Sequence, residues 1–342
     1  MQPTTLCIAQ VGVGYWGKNL LRNFSSLPGV KVTHVCDRNP EVLARVSRQY
    51  PWVVPTQNID DIVDDPRISA VVVATETQLH FTLAEKALLA GKHVFVEKPM
   101  TQTVPQAQRL VDLAEKGGRH LMVGHLLLYH PAFRYVEELI RTGQLGDIYY
   151  PYSVRVNLGI VRQHENALES LAPHDLSVAL AFLRQKPVAV CAQGQAYLQP
   201  GVADVAFATV FFDGGALAHL HTSWLDPHKI RKVTVVGNRK MAVIDDGVGA
   251  EKVRLYDKGV GPATSESNYA NYADSLAVRS GDIHIPRIDM QEPLRLECSH
   301  FIECLRTGKR PRTDGRNGLA VVRLLEAAQR SLEKNGRTVD IA

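Results

Sequence analysis

The 342-residue sequence predicts an α/β protein in two parts: a doubly wound parallel sheet over residues 1–123, then an α+β region over 124–342 built on a large, mostly antiparallel mixed sheet. Two observations carry this expectation. Up to residue 123, short apolar runs alternate with helical stretches, as when crossover helices join parallel strands. Beyond Gly124, strand-like runs follow one another directly, which suits an antiparallel sheet with helices on one face.

In the first part, strands are expected near 6–11, 30–36, 70–74, 93–96 and 120–123, and helices near 17–25, 40–49, 79–90 and 104–117. The unbroken run Ile68-Ser69-Ala70-Val71-Val72-Val73-Ala74 suits the centre of a parallel sheet, buried on both faces. Gly91 is a helix stop. In the second part a helix near 131–142 ends at Gly143, and strands are expected near 147–158, 188–198, 204–212, 215–224, 231–237, 240–245 and 252–257. Phe212-Asp213-Gly214-Gly215 reads as a hairpin turn. Helices are expected near 173–184, 291–307 and 315–334, and residues 259–280, rich in Gly, Ser, Asn, Tyr and Ala, read as a long loop.

Composition narrows the function classes. Net charge is +4 and no run of like charges suggests a nucleic-acid tail. The five cysteines form no CxxC pair, so neither a disulfide framework nor a metal site is expected. No apolar run is long enough for a membrane span, and no secretory signal is evident, so the expectation is a cytoplasmic protein.

The chemistry starts at Gly12-Val13-Gly14-Tyr15-Trp16-Gly17, which follows a strand and opens a helix. That setting distinguishes a dinucleotide-binding glycine turn from a chance one. Gly12 permits the tight turn, Gly14 lets backbone approach a pyrophosphate, and Gly17 lets helix and strand pack closely. Asp37 ends the second strand, where an acidic side chain holds the ribose hydroxyls of NAD and repels a 2′-phosphate; the adjacent Arg38 works against that discrimination. Further along stands Glu97-Lys98-Pro99, at the end of a parallel strand where crevices form.

The glycine turn with Asp37, then Ala74-Thr75, His80 and Ala90-Gly91-Lys92-His93-Val94-Phe95-Val96-Glu97-Lys98-Pro99, resembles the Gfo/Idh/MocA oxidoreductases over the whole chain. The resemblance implies an N-terminal Rossmann domain binding NAD through Gly12, Gly14, Tyr15, Trp16, Gly17, Asp37, Arg38, Thr75, His80, Glu97 and Lys98, followed by a domain that binds a sugar and mediates homo-oligomerisation. It implies two catalytic residues. Lys98 steadies the reacting hydroxyl, where a cation meets developing negative charge. His174, in Leu171-Ala172-Pro173-His174-Asp175-Leu176, or Lys98 itself takes the proton. Pro173 is expected in the first turn of a helix, with His174 at its start. Ser170 stands where many relatives carry an Asp four residues before this His.

Within the family, Gly14-Tyr15-Trp16-Gly17-Lys18-Asn19-Leu20, His125-Leu126-Leu127-Leu128-Tyr129-His130-Pro131, Arg155-Val156-Asn157-Leu158-Gly159-Ile160-Val161-Arg162 and Ser223-Trp224-Leu225-Asp226-Pro227 are similar to UDP-N-acetylglucosamine 3-dehydrogenases. That likeness implies oxidation of a sugar 3-hydroxyl on a UDP-sugar, with a PLP aminotransferase consuming the ketone toward a 2,3-diamino sugar of the lipid A type. The sugar uronate, a free sugar or inositol, and a catalytically silent NAD-sensing regulator are the alternatives. A diphosphate calls for cationic and amide donors. The candidates for substrate contact are Tyr129, Arg155, Asn157, Arg162, His174, Lys229 and Arg231, with Lys232 beside them; the Lys229–Lys232 stretch equally suits a solvated strand face.

Overall fold

A computed structural model describes residues 5–159, 161–163, 165–262 and 276–341. The chain divides into two compact units, residues 1–129 with 291–326, and residues 130–290 with 327–342.

The first unit opens with β1 (Leu6–Val11), α1 (Gly17–Ser25), β2 (Val30–Cys36), α2 (Pro40–Gln49), β3 (Val54–Thr56) and α3 (Asp60–Val63). It continues with β4 (Ala70–Val73), α4 (Thr77–Leu89), β5 (His93–Val96), α5 (Val104–Gly117), β6 (Leu121–Val123) and a 3₁₀ turn over Leu126–Tyr129. All six strands are parallel, in the order β3-β2-β1-β4-β5-β6. The order reverses between β1 and β4, and the crevice outside the carboxyl ends of these strands is where such sheets bind ligands. β4 is buried along its whole length, as its uninterrupted apolar sequence requires. The expected strand and helix series is present; β3 and α3, each only a few residues long, left no periodicity to read.

The second unit contains α6 (Pro131–Arg141), β7 (Ile148–Val156), α7 (Ala167–Leu183), β8 (Pro187–Gln195), β9 (Val205–Phe212), β10 (Leu217–Ser223), β11 (Ile230–Gly237), β12 (Met241–Asp245), β13 (Val253–Pro262) and β14 (Leu276–His284). Near the C-terminus follow α8 (Pro293–Thr307), α9 (Gly315–Glu333) and β15 (Val339–Asp340). The sheet runs β14-β13-β12-β11-β7-β10-β9-β8-β15, antiparallel throughout except for β7 beside β10. α7 packs on β7, β9 and β10. Along β9, Ala206, Ala208, Val210 and Phe212 are buried while Phe207 is 44% exposed, so the sheet has one covered and one open face.

Three expectations change. The boundary falls at 129/130 rather than 123/124, and residues 291–326 return to the first unit. The reason is aromatic packing: Phe301 of α8 meets Phe24 of α1 and Phe95 of β5 edge-on, with centroids 6.3 and 5.7 Å apart. Leu319 and Val322 of α9 join the same unit's core. Second, α7 starts at Ala167, not at Pro173. Asn166 caps it with a reciprocal capping box to Glu169, and Pro173 lies inside the helix. Third, residues 259–262 and 276–280 of the expected loop form strand, pairing β13 with β14; residues 263–275 lie outside the described residues. Among the described residues no helix is long and apolar enough to cross a membrane, and no cluster of three or more His, Cys, Asp or Glu is placed to hold a metal.

Candidate active site

The glycine turn is held by close approach. Gly12 has φ +89°, and a Cβ there would lie 2.6 Å from the carbonyl oxygen of Ala74 at the end of β4. A Cβ on Gly17 would lie 2.3 Å from the Gly12 carbonyl oxygen. Gln10, buried in β1, reaches over the turn; its amide Nε2 donates to the carbonyls of Gly12 at 2.9 Å and Gly17 at 2.7 Å. Gly14 is different: among the described residues, nothing beyond its chain neighbours lies within 4 Å of a Cβ built there. Protein packing thus explains the first and third glycines, and room for a ligand against the backbone explains the second.

Asp37 closes the turn from β2. One carboxylate oxygen accepts from the Val13 amide at 2.9 Å, and the other from the Asn39 amide at 2.9 Å. Arg38, next to it, lies 3.9 Å from Glu76, with both side chains exposed. Tyr15 is 79% exposed on the turn, with the Lys18 ammonium 5.4 Å from its ring centre.

Trp16 links this turn to the Glu-Lys-Pro turn. Its indole Nε1 donates to Glu97 Oε1 at 2.6 Å, and the Lys98 amide donates to Glu97 Oε2 at 3.2 Å. Glu97 is buried, and loss of solvent raises its carboxyl pKa while the Trp16 bond and the Lys98 charge pull it back. Gly124 makes room for it, since a Cβ there would sit 3.0 Å from the carboxylate. His80 was expected to line the cofactor. The structure buries it instead, with Nδ1 2.8 Å from the Pro99 carbonyl and Nε2 3.1 Å from the Thr75 carbonyl. It braces the two turns that follow β4 and β5.

Tyr129 was expected to contact substrate. It is 3% exposed, its hydroxyl lies 3.0 Å from Thr313 Oγ1, and burial pushes its pKa up. It is a packing residue of the first unit.

In the second unit, His174 sits roughly two turns inside α7 rather than at its start. The neighbouring Asp175 is buried and takes two bonds from Arg155 of β7, at 2.6 and 2.9 Å. Arg155 was expected to contact a diphosphate; here its Nε and Nη2 donate to Asp175, in a pair whose charges must compensate each other away from water. Asp246, after β12, gathers donors: His130 Nε2 at 3.3 Å, Lys252 at 3.4 Å and Arg231 at 3.7 Å. The Ala132 amide donates to His130 Nδ1, which leaves the ring proton on Nε2, toward Asp246. These partners outweigh burial and bring Asp246 down to about 2. Arg231 keeps about half of its side chain exposed. Lys232 pairs with Asp245 at 3.3 Å, and Arg162, exposed, with Glu165 at 2.9 Å. Asn157 is half-buried and Lys229 exposed; Ile160 lies outside the described residues.

Residues 6–125 match the NAD-binding Rossmann-fold model of the GFO/IDH/MocA oxidoreductase family, and residues 133–243 match its C-terminal domain. The chain belongs to that family. It is 27% identical over 321 residues to the NAD-dependent scyllo-inositol 2-dehydrogenase of Bacillus subtilis, covering 89% of this chain and 87% of that one. It is 26% identical over 275 residues to the UDP-N-acetylglucosamine 3-dehydrogenase of Acidithiobacillus ferrooxidans, covering 79% and 82%. Among solved structures, an oxidoreductase from Agrobacterium radiobacter, crystallised with NAD+, L-tartaric acid and magnesium, superposes with a TM-score of 0.81. It has 20% identity and covers 99% of each chain. The protein is an NAD-binding oxidoreductase, and its first unit is the Rossmann domain expected from the sequence.

Three outcomes follow from this geometry. Gly14→Ala should unfold near the wild-type temperature yet weaken NAD at least about tenfold, because the added methyl meets only the ligand. Gly12→Ala should destabilise the free protein, since both its φ and the Ala74 carbonyl oppose a side chain. Calorimetric titration beside thermal melts separates the two; unchanged NAD affinity in Gly14→Ala would contradict the turn's role. With Asp37 held toward the turn and Arg38 beside Glu76, NADP should bind more weakly than NAD, and equal dissociation constants would contradict this. Asp246 is held below its ordinary 3.8, so it contributes stability above that pH that is lost as pH falls through about 2. Asp246→Asn should therefore cost on the order of 2 kcal/mol at neutral pH and progressively less in acid. Chemical denaturation from pH 7 downward reads the difference, and a pH-independent cost would contradict the ion cluster.

Proposed function

We propose that the protein oxidises a secondary hydroxyl of a nucleotide-linked amino sugar, the 3-hydroxyl of UDP-N-acetylglucosamine, with NAD as the acceptor. The observation that carries the dehydrogenase reading is the Trp16–Glu97 bond, which anchors the Lys98 turn to the dinucleotide turn within one compact unit. The substrate reading rests on the relative from Acidithiobacillus ferrooxidans and on the sequence segments that resemble its class. NAD, when bound, supplies the hydride acceptor. The open ground at Gly14, the Asp37 carboxylate and the turn amides are the residues that fit it. Lys98 holds the hydroxyl oxygen and opposes the charge that develops there; His174 takes the hydroxyl proton. Binding both reactants in place supplies much of the rate. The ketone formed suits a PLP aminotransferase as the next enzyme.

A second reading has a specific support. Arg155, expected on a diphosphate, is buried against Asp175, and Arg231 lies half-exposed 3.7 Å from Asp246. That favours a free sugar or polyol, in line with the relative from Bacillus subtilis. Mixing protein and NAD with UDP-N-acetylglucosamine, its uronate and inositols, and following NADH absorbance, decides between them. Thermal protection by UDP alone supports the nucleotide sugar, and its absence supports the polyol.

Lys98→Ala should lower kcat by about 10²–10³, and His174→Ala by about 10²–10⁴, with NAD affinity largely kept. Near wild-type turnover in His174→Ala would transfer the base role elsewhere.

The protein is also proposed to form a homo-oligomer through the second unit. The open face of its sheet carries Tyr150, Tyr152, Phe207 and Leu217, each about 40% exposed, with Tyr150 stacked on Tyr152 and Phe207 on His221. An apolar patch of that kind marks an interaction site. Light scattering at micromolar concentration should give a dimer or larger, and Phe207→Asp should shift it toward monomer; a wild-type monomer would refute the assignment.

A further inference from the structure

Behind the Lys98 turn, the first unit buries a second carboxyl. Glu297 lies on α8 at the spacing of the buried stripe Leu294, Cys298 and Phe301, and is 0% exposed. Neither of its carboxylate oxygens has a hydrogen-bond partner among the described residues. Phe301, one turn further along α8, packs on Phe95, two residues before Glu97, which sets α8 against the end of β5, and the Glu97 charge is felt at Glu297. The two carboxyls have opposite surroundings. Glu97 receives the Trp16 indole N–H, the Lys98 amide and the Lys98 charge. Glu297 receives no donor. An ionised carboxylate buried without any donor is costly enough that it takes up a proton instead. Buried carboxyls that feel each other's charge titrate as a pair, and the one with donors is ionised first.

We propose that Glu97 and Glu297 form a buried pair holding a single proton, carried by Glu297, and that Glu297 is a positioning residue that acts on Lys98 through Glu97. The proposal rests on the reading of Lys98 as the residue at the reacting oxygen. One negative charge then stands behind Lys98 where two acidic side chains are present. The remaining groups facing the pair keep that count. Tyr129, from the 3₁₀ turn packed on α8, stays a neutral phenol, and burial likewise keeps the Cys298 thiol protonated. His125, buried beside Lys98, is pushed down to about 3 by loss of solvent and by that charge, so it is a neutral ring at ordinary pH. From α1, Arg22 is engaged by Glu292 at the start of α8. Ionising Glu297 would place a second negative charge behind Lys98 and strengthen its hold on its proton.

Glu297→Gln replaces the neutral acid by a neutral amide of the same shape. Infrared spectra of the NAD-bound protein at neutral pH should show the carbonyl stretch of a protonated carboxylic acid. Glu297→Gln should remove that band and Glu97→Gln should keep it. Denaturation gives a readout free of catalysis. Glu297 is held well above its ordinary 4.5, so the wild type loses stability as pH rises from about there. Glu297→Gln lacks that loss, and its melting temperature should gain on the wild type from pH 4.5 to 8. The alkaline limb of the kcat profile should move in Glu297→Gln as well. Absence of the band from the wild type, its survival in Glu297→Gln, or parallel stability profiles would overturn the pair. If band and stability behave as stated while the kcat profiles coincide, the pair stands without its action on Lys98 and the positioning role is refuted. A failure of Lys98→Ala to lower turnover would strike the catalytic reading alone.

Discussion

A hydrogen bond between residues 81 positions apart in the chain, Trp16 to Glu97, organises the first unit. A dinucleotide turn and a lysine turn each form at the end of their own strand, and sheet order alone sets them near the switch point without fixing their orientation. The indole N–H fixes it, because a buried carboxylate has a steep need for donors and Trp16 provides the shortest one. The Gly12 and Gly17 contacts, the Gln10 amide and the His80 brace then hold the backbone on either side. The constraint also accounts for Gly124, whose missing side chain is the space that the Glu97 carboxylate fills.

The second unit solves a different problem. It must support a histidine on a buried helix whose neighbouring residue is an acid. Arg155 meets Asp175 with two parallel bonds, and Asp246 collects His130, Lys252 and Arg231 from separate elements. Removing one member of a buried pair leaves an uncompensated charge, typically costing about 3–5 kcal/mol. Of the cations that a sequence reading assigns to a phosphate, Arg155 is buried in a structural ion pair.

Much of the first unit was legible in the sequence, because a parallel strand is an apolar run and the glycine turn has fixed spacing. The two turns that follow β1 and β5 carried their own chemistry in Gly12–Gly17 and Glu97-Lys98-Pro99. What escaped were partners distant in sequence. Nothing local announces that Tyr129 meets Thr313 or that Arg155 meets Asp175. Pro173 misled because proline usually begins a helix, whereas here the Asn166–Glu169 capping box starts it earlier and the proline is carried inside. The composition of residues 259–280 suggested a loop, whereas residues 259–262 and 276–280 lie in β13 and β14 and pair with each other. Glu297 did leave a signal: an acid at helical spacing on an otherwise apolar stripe. Gln10, alone in an apolar strand, left another.

The most direct test of this account is a double-mutant cycle on NAD affinity with Trp16→Phe, Glu97→Gln and the pair of changes together. If the bond joins the cofactor turn to the lysine turn, the two single changes should be non-additive, with a coupling of about 1.5–3 kcal/mol as for a hydrogen bond to a charged group. Additive losses would show that the two turns are set independently and would contradict the account.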